Sequence, residues 1–235
     1  MRTFWHIPYS PWSLKARWAL KHHQVAHRGR SYRVGIDEMA LRARLRRVRG
    51  MVTVPVLFDG DKAIADSFAI AQYADAIGNG TPLLAALEEC RRWNERSDVL
   101  LSIGRRRALR DTLASPDAQR EALRGVVPEA MVPVMLPVAR RLMRRMVEKY
   151  PVEDEGQIAA ALDDLRAALD GGNYLLGEFS YADIAMAMVF EFIAPLPARA
   201  RGPVTQGIWG APSLAERFSD LVEWRDRLVA EHRPD

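Results

Sequence analysis

The sequence predicts an α/β amino-terminal domain followed by an all-helical carboxy-terminal domain, and three observations carry that prediction. Up to about residue 78, short apolar runs of strand length alternate with stretches of helical periodicity. A Gly78-Asn79-Gly80-Thr81-Pro82 cluster then stops a helix and opens a linker. Beyond Leu87 the strand patterns vanish and apolar residues recur only at helical spacing. The expected boundaries are therefore 1–78 for the first domain, 79–87 for the linker and 88–235 for the second.

Taken in order, Thr3 to Ile7 reads as a strand, and Ser10-Pro11-Trp12-Ser13 as a turn into a helix through Leu20. A second strand, weakly marked, is placed near Ser31 to Val34, with a helix after it. Val56 to Phe58 and Ala63 to Ala65 flank Asp59-Gly60 as a hairpin, since Gly accepts the positive φ of a tight turn. Pro55 falls at a strand start, where its missing N–H costs no central ladder bond. Ile70, Tyr73, Ala74 and Ile77 then mark a helix opened by Asp66-Ser67.

In the second half, Glu88 to Ala114 reads as one long helix and Pro128 to Tyr150 as another, with Pro133 and Pro137 as its weak points. Ile158, Leu162, Leu165 and Leu169 mark a third helix, ending at Gly171-Gly172. Ser180 and Asp183 have capping-box spacing, with Phe179 and Ile184 placed as a hydrophobic staple. The helix they open, through Ala187, Val189, Phe190 and Ile193, is apolar all round except for Glu191 and is expected to be buried. Ser213 and Glu216 are expected to cap a final helix through Phe218, Leu221, Val222 and Leu228. No internal repeat is present.

Two segments have the composition of a binding site. Asp66 and Ser67 stand where helix N–H groups lack partners, so they fit a helix cap and equally a receiver for a carboxylate. The Ser-Pro-Trp-Ser turn puts hydroxyls at the start of another helix, where a donor beside a positive helix end favours an anion.

These segments resemble the glutathione transferases: the Val54-Pro55 pair before a hairpin, the acid-hydroxyl pair Asp66-Ser67 after it, the Ser10-Pro11-Trp12-Ser13 turn, and Ser180-x-x-Asp183 in the second half, all in family order. The resemblance covers most of the chain and implies a thioredoxin-like first domain. It further implies a cis peptide bond at Pro55, a Val54 backbone that pairs with the cysteinyl part of glutathione, and a γ-glutamyl site at Asp66 and Ser67. Thr53 adjoins these, standing where relatives often carry Lys, Arg or Gln, so the glycyl-end contact departs from the family pattern; Arg46, Arg47 or Arg49 are alternatives for it.

By the same resemblance the turn is of the serine type, and Ser10 occupies the position of the reactive Cys of omega-like relatives. Ser13 and Tyr9 are competing donors one turn away. A hydroxyl donating to sulfur stabilises the thiolate, and lowering a thiol pKa from about 8.5 by about two units takes about 2.7 kcal/mol. The implied reaction is attack of the glutathione thiolate on a small hydrophobic electrophile. The alternatives are a glutathione-dependent peroxidase or isomerase, and a non-catalytic binding or assembly module of the same fold. Hydroxyls at 10 and 13 argue against disulfide chemistry. The second substrate is expected near Trp12, Trp93, Arg96, Leu100 and Arg107, with Trp209 closing it; Ser180 and Asp183 are assigned to folding. A homodimer is the family's default.

Composition agrees. The chain has 235 residues, 49% hydrophobic and 27% charged, enough for two modest domains. No apolar run approaches the roughly 18 residues of a membrane span. Pro8 and Pro11 follow the first strand at once, unlike a secretory leader, so a cytoplasmic protein is expected. The single cysteine, Cys90, rules out an internal disulfide and a multi-cysteine zinc site, and five scattered histidines give no metal spacing. No metal is expected. Net charge is +4, much of it in Arg42–Arg49, Arg105–Arg107 and Arg140–Arg145. The last set is expected to form a solvated helix face opposite Leu142, Met143, Met146 and Val147. No aromatic interleaving or recognised motif points to nucleic acid. Glutathione is itself an anion, and basic residues near its pocket raise its local concentration.

Overall fold

The computed structural model describes residues 1–124, 126–150, 154–197 and 201–233. The first part of the chain runs β1 (Arg2–His6), α1 (Pro11–His22), β2 (His27–Ser31), α2 (Glu38–Leu45), β3 (Val56–Asp59), β4 (Lys62–Ala65) and α3 (Ser67–Ile77). The four strands form one mixed sheet in the order β2-β1-β3-β4. β1 and β2 are parallel, and both β1–β3 and β3–β4 are antiparallel. This is the thioredoxin-like α/β arrangement expected. The second strand, however, lies at His27–Ser31 rather than Ser31–Val34. Its five residues HRGRS are mostly exposed, so no apolar alternation marks it in the sequence. The hairpin loop is Gly60-Asp61, one residue later than expected, with Asp59 pairing Lys62 and Gly60 at φ +57.

Successive residues of a strand point to opposite faces, and both faces of the central pair are filled. On one side Phe4, Leu57 and Ile64 pack with Ala16 and Leu20 of α1 and with Ile70 and Ala74 of α3. On the other, Trp5, Val56 and Phe58 pack with Tyr32 and with Leu41 of α2. β1 and β3 are therefore anchored from both sides, and their ends are fixed points for the loops that leave them. Arg2 and Tyr73 both bond Asp59, tying the start of β1 and the middle of α3 to the end of β3.

From residue 87 onward every regular element among the described residues is helical: α4 (Leu87–Ala114), α5 (Pro116–Leu123), α6 (Val132–Lys149), α7 (Glu155–Leu169), α8 (Tyr181–Ala187), α9 (Pro203–Trp209), α10 (Pro212–Arg217) and α11 (Ser219–His232). By contact density the chain forms two compact units. The first holds Met1–Asn94, Leu176–Met188 and Leu228–Asp235; the second holds Glu95–Leu175 and Val189–Arg227.

Within the first unit, α8 is buried along its whole length, and Asp183 accepts both the Ser180 N–H (2.9 Å) and the Ser180 hydroxyl (2.8 Å). Those two residues form the capping box of α8. The apolar run does not stay α-helical to Ile193; it tightens into a 3₁₀ turn over Met188–Phe192. The break in its apolar pattern is explained in the second unit, where Glu191 meets Arg201 at 2.7 Å with both side chains 1% exposed. Gly104 of α4 packs against Phe192 there, so close that a Cβ would sit 2.6 Å from the Phe192 side chain.

Two sequence expectations for the helices fail. Ser213 does not cap the final helix: it lies inside α10, whose cap position is Ala211, and α11 starts separately after Phe218. The second fails only in part: Arg141, Arg144 and Arg145 of α6 are exposed and Met143, Met146 and Val147 half-buried, but Leu142 is exposed with the arginines, Arg140 is half-buried, and no residue of α6 is buried. Among the described residues no helix is long and apolar enough to cross a membrane.

Candidate active site

The register of the sheet gathers the predicted ligand residues at one end. Trp5 lies across from Val56, and Val56 across from Ala65. The residues just beyond these positions, Ile7 after β1, Val54-Pro55 before β3 and Asp66 after β4, consequently leave the sheet at the same edge. The N-termini of α1 and α3, which pack on each other, open there as well.

The Val54–Pro55 peptide is cis, as expected. Pro55 is buried and Val54 half-buried, while Thr53 is exposed. Asp66 is the N-cap of α3, its Oδ1 accepting the Ala69 N–H at 2.8 Å. Its backbone is at φ 69 and ψ 158, a region that essentially only glycine occupies without strain. Ser67, the first helical residue, is 3% exposed. An acid that caps its helix while held in a costly conformation is fixed in place at a helix N-terminus, where the first amides lack helical partners.

Ser10 is the N-cap residue of α1, with Pro11 in the first turn, yet its side chain makes no capping hydrogen bond. Its backbone is tied instead: its N–H donates to Ile7 O at 3.1 Å and its carbonyl accepts the Leu14 N–H at 2.8 Å. Ser13 is the competing donor. It lies inside the first turn, 1% exposed, and its hydroxyl accepts the Ile7 N–H at 3.2 Å, which closes the loop between β1 and α1. The two serines are thereby distinguished, one hydroxyl committed to the loop and the other not. Tyr9 and Trp12 are half-buried beside them.

Two groups near this end were not singled out from the sequence. Lys15, five residues after Ser10, is fully buried, and its Nζ donates to Asn94 Oδ1 at 2.8 Å. The signal was present: a lysine between Leu14 and Ala16, on the stripe with Ala19, faces inward on an otherwise apolar helix side. His6, the last residue of β1, is 9% exposed and stacks on Phe4. Burial, then the charges of Arg17 and His27, push its pKa down to about 4.

The residues expected at the second substrate fare differently. Leu100 is 3% exposed and is core. Arg107 is buried and donates to the Trp209 carbonyl at 3.0 Å and to that of Phe192, so it holds helix ends together instead of facing a ligand. Trp209 is buried on Phe192, with ring centroids 4.7 Å apart. Arg96 pairs with Asp164. Trp93 is half-buried on α4. Long helices place such residues by packing, which their spacing alone did not reveal. Arg46, Arg47 and Arg49 are exposed after α2. Cys90 is fully buried, with its thiol pushed up by burial. No group of three or more His, Cys, Asp or Glu side chains among the described residues is placed to hold a metal.

Residues 9–77 match the family model described as glutathione S-transferase, N-terminal domain. A glutathione S-transferase from Methylobacillus flagellatus with glutathione bound is 16% identical, with a TM-score of 0.57 over 97% of this chain and 95% of that one. Glutathione transferase GSTFuA2 from Phanerochaete chrysosporium is 17% identical, with a TM-score of 0.61 over 100% and 99%. The β-etherase LigF from a Sphingobium strain is 16% identical, with a TM-score of 0.61 over 98% and 95%. Among curated proteins none matches the chain at the sequence level. Residues 9–77 are thus similar to the glutathione S-transferase N-terminal domain, and along its length the chain shares the fold of these glutathione S-transferase structures.

Proposed function

We propose that this chain is a glutathione transferase that binds glutathione at the shared edge of β1, β3 and β4 and activates its thiol as the thiolate. The observation that supports the reading best is the pairing of the cis Val54–Pro55 bond with the strained Asp66 at the start of α3. In this reading Val54 bonds the cysteinyl backbone, and Asp66 with Ser67 receives the γ-glutamyl end. That places the glutathione sulfur at the N-terminus of α1. Ser10 donates its hydroxyl proton to the sulfur, and its side chain is suited to this because no helix amide uses it. The buried Lys15 ammonium and the dipole of α1 add positive potential.

The thiol proton leaves to solvent as the thiolate forms. The sulfur then attacks an electrophilic carbon, and the new C–S bond forms as a leaving group departs with its electron pair, or as a neighbouring carbon takes a proton. A carbon bearing an ether oxygen is one such centre, as the name of the β-etherase neighbour suggests. The reading carries a homodimer and a cytoplasmic setting with it.

A second reading, a glutathione-binding module without turnover, is favoured by one observation: Ser10 is only 4% exposed. Ultraviolet difference titration of glutathione against the protein across pH separates the two. A thiol pKa lowered by about two units in the wild type, restored in Ser10→Ala and kept in Ser13→Ala, supports the transferase. Saturable binding with an unshifted thiol supports the module. Absence of binding removes both.

A further inference from the structure

A different part of the first unit carries a cleft away from the edge where the predicted glutathione residues gather. The cleft, of about 400 Å³, is lined by Met1, Thr3, Arg28, Gly29, Arg30 and Arg44. Parallel pairing sets Arg28 beside Thr3 and Arg30 beside Trp5, so both arginines project from the face of the sheet on which Trp5 meets Leu41 of α2. Arg44 comes to the same cleft from α2 itself. Thr3 lies four residues before Ile7 on β1, about 13 Å along the strand from the edge where the glutathione residues gather. We propose that this cleft is a separate binding site for a phosphorylated small molecule, gripped by the guanidinium groups of Arg28, Arg30 and Arg44.

Two of the three cations are pre-set. The Arg30 guanidinium sits 3.9 Å above the Trp5 ring and that of Arg44 sits 4.4 Å above Phe58, and Trp5 and Phe58 are themselves in edge contact. Stacking fixes the plane of each guanidinium while its N–H groups stay available, which is how arginine recognises phosphate.

The neighbouring carboxylates are already engaged. Asp37 is bonded by Arg33, Glu38 by Arg42, and Asp59 by Arg2. Among the described residues none of Arg28, Arg30 and Arg44 has an ion pair within 4 Å; Arg30 reaches Asp37 only through its longer-range charge. Residues 1–66 hold thirteen Lys and Arg against five Asp and Glu, so the excess is regional and much larger than the +4 of the whole chain. Charge on an edge strand such as β2 blunts unwanted pairing, and any exposed cation there would serve that end. Edge protection does not require a third arginine from another element or aromatic seats beneath two of them. Three guanidiniums around one cleft match a dianionic phosphate group, and the cleft is within the size range of small-ligand pockets.

The probe is inorganic pyrophosphate, titrated calorimetrically into the full chain at a fixed ionic strength of about 0.15 M. The expected result is one saturable site, weakened about tenfold or more by Arg28→Gln and by Arg44→Gln, and unchanged by Arg141→Gln, a charge-matched change on α6. Arg28 has no aromatic seat among the described residues, so Arg28→Gln keeps the fold, and matched circular dichroism and thermal midpoint verify this. Ser10→Ala binds pyrophosphate as the wild type does, which makes the result independent of the glutathione reading. The proposal is overturned by the lack of saturable binding, by equal weakening in Arg28→Gln and Arg141→Gln, or by displacement of pyrophosphate with S-methylglutathione.

Discussion

Asp66 shows how much a single residue is asked to do. It caps α3 through Ala69 and holds a φ of 69 and ψ of 158 that a side chain makes costly. Asp66→Gly removes that strain, worth about 1 to 3 kcal/mol, and loses only a few tenths as a cap. The expected outcome is a protein stabilised by about 1 kcal/mol in urea titrations, after the added chain entropy of glycine, that no longer retains glutathione on an affinity matrix. Unchanged retention would show that the strain has no ligand behind it. His6 gives a second residue-scale expectation. Its folded pKa of about 4 lies below the ordinary 6.5, so the unfolded chain binds the extra proton between these values. Its contribution is whole above pH 6.5 and lost as pH falls toward 4, amounting to about 3 kcal/mol. The slope of stability against pH over that window should flatten in His6→Phe, measured by urea midpoints at stepped pH. The burial of His6 could not be read from β1 alone, where alternation gives the face but not its depth.

At the scale of elements, caps and close approaches decide which helices form and how they lock. The Ser180–Asp183 box was legible because its spacing is local and both partners lie within one turn. The Ser213–Glu216 pair has the same spacing and no such role, because Phe218 ends α10 and forces a fresh start for α11. Local pattern cannot tell these cases apart; only burial of the element does. The contact of α4 with Phe192 is another tertiary decision. Gly104→Ala places a methyl group against that ring and is expected to destabilise by about 1 to 3 kcal/mol, more than the helix-propensity gain of about 1 kcal/mol returns. A thermal midpoint equal to or above wild type would mean that Phe192 moves aside freely. In the same region Glu191, which interrupted an apolar run in the sequence, proves to be half of a buried pair with Arg201. Its partner is ten residues away, across a stretch with no pattern to announce it.

For the whole molecule, charge distribution matters more than total charge. The first 66 residues are strongly basic, and glutathione, the ligand of the proposed function, is an anion, so its encounter is expected to be steered. The second-order rate of glutathione binding is expected to fall several-fold between about 0.02 and 0.3 M salt, whereas a rate indifferent to salt would place the basic residues away from the approach path. Light scattering is expected to give twice the 26.5 kDa chain mass, and a monomer would remove the dimer from the account. The sequence by itself determined the α/β first half, the hairpin and the helical second half, which rest on short-range rules of periodicity, turn chemistry and caps. The cis proline and the choice of Val54, Asp66 and Ser67 as ligand residues came instead from the resemblance to a known family. Tertiary structure alone decided that Ser13 closes a loop while Ser10 is left uncapped, that Lys15 is buried on Asn94, and that Leu100 and Arg107 belong to the interior. It also decided that Arg28, Arg30 and Arg44 share one cleft. Each of those outcomes depends on which face of an element is covered by a segment distant in the chain, and no local window contains that information.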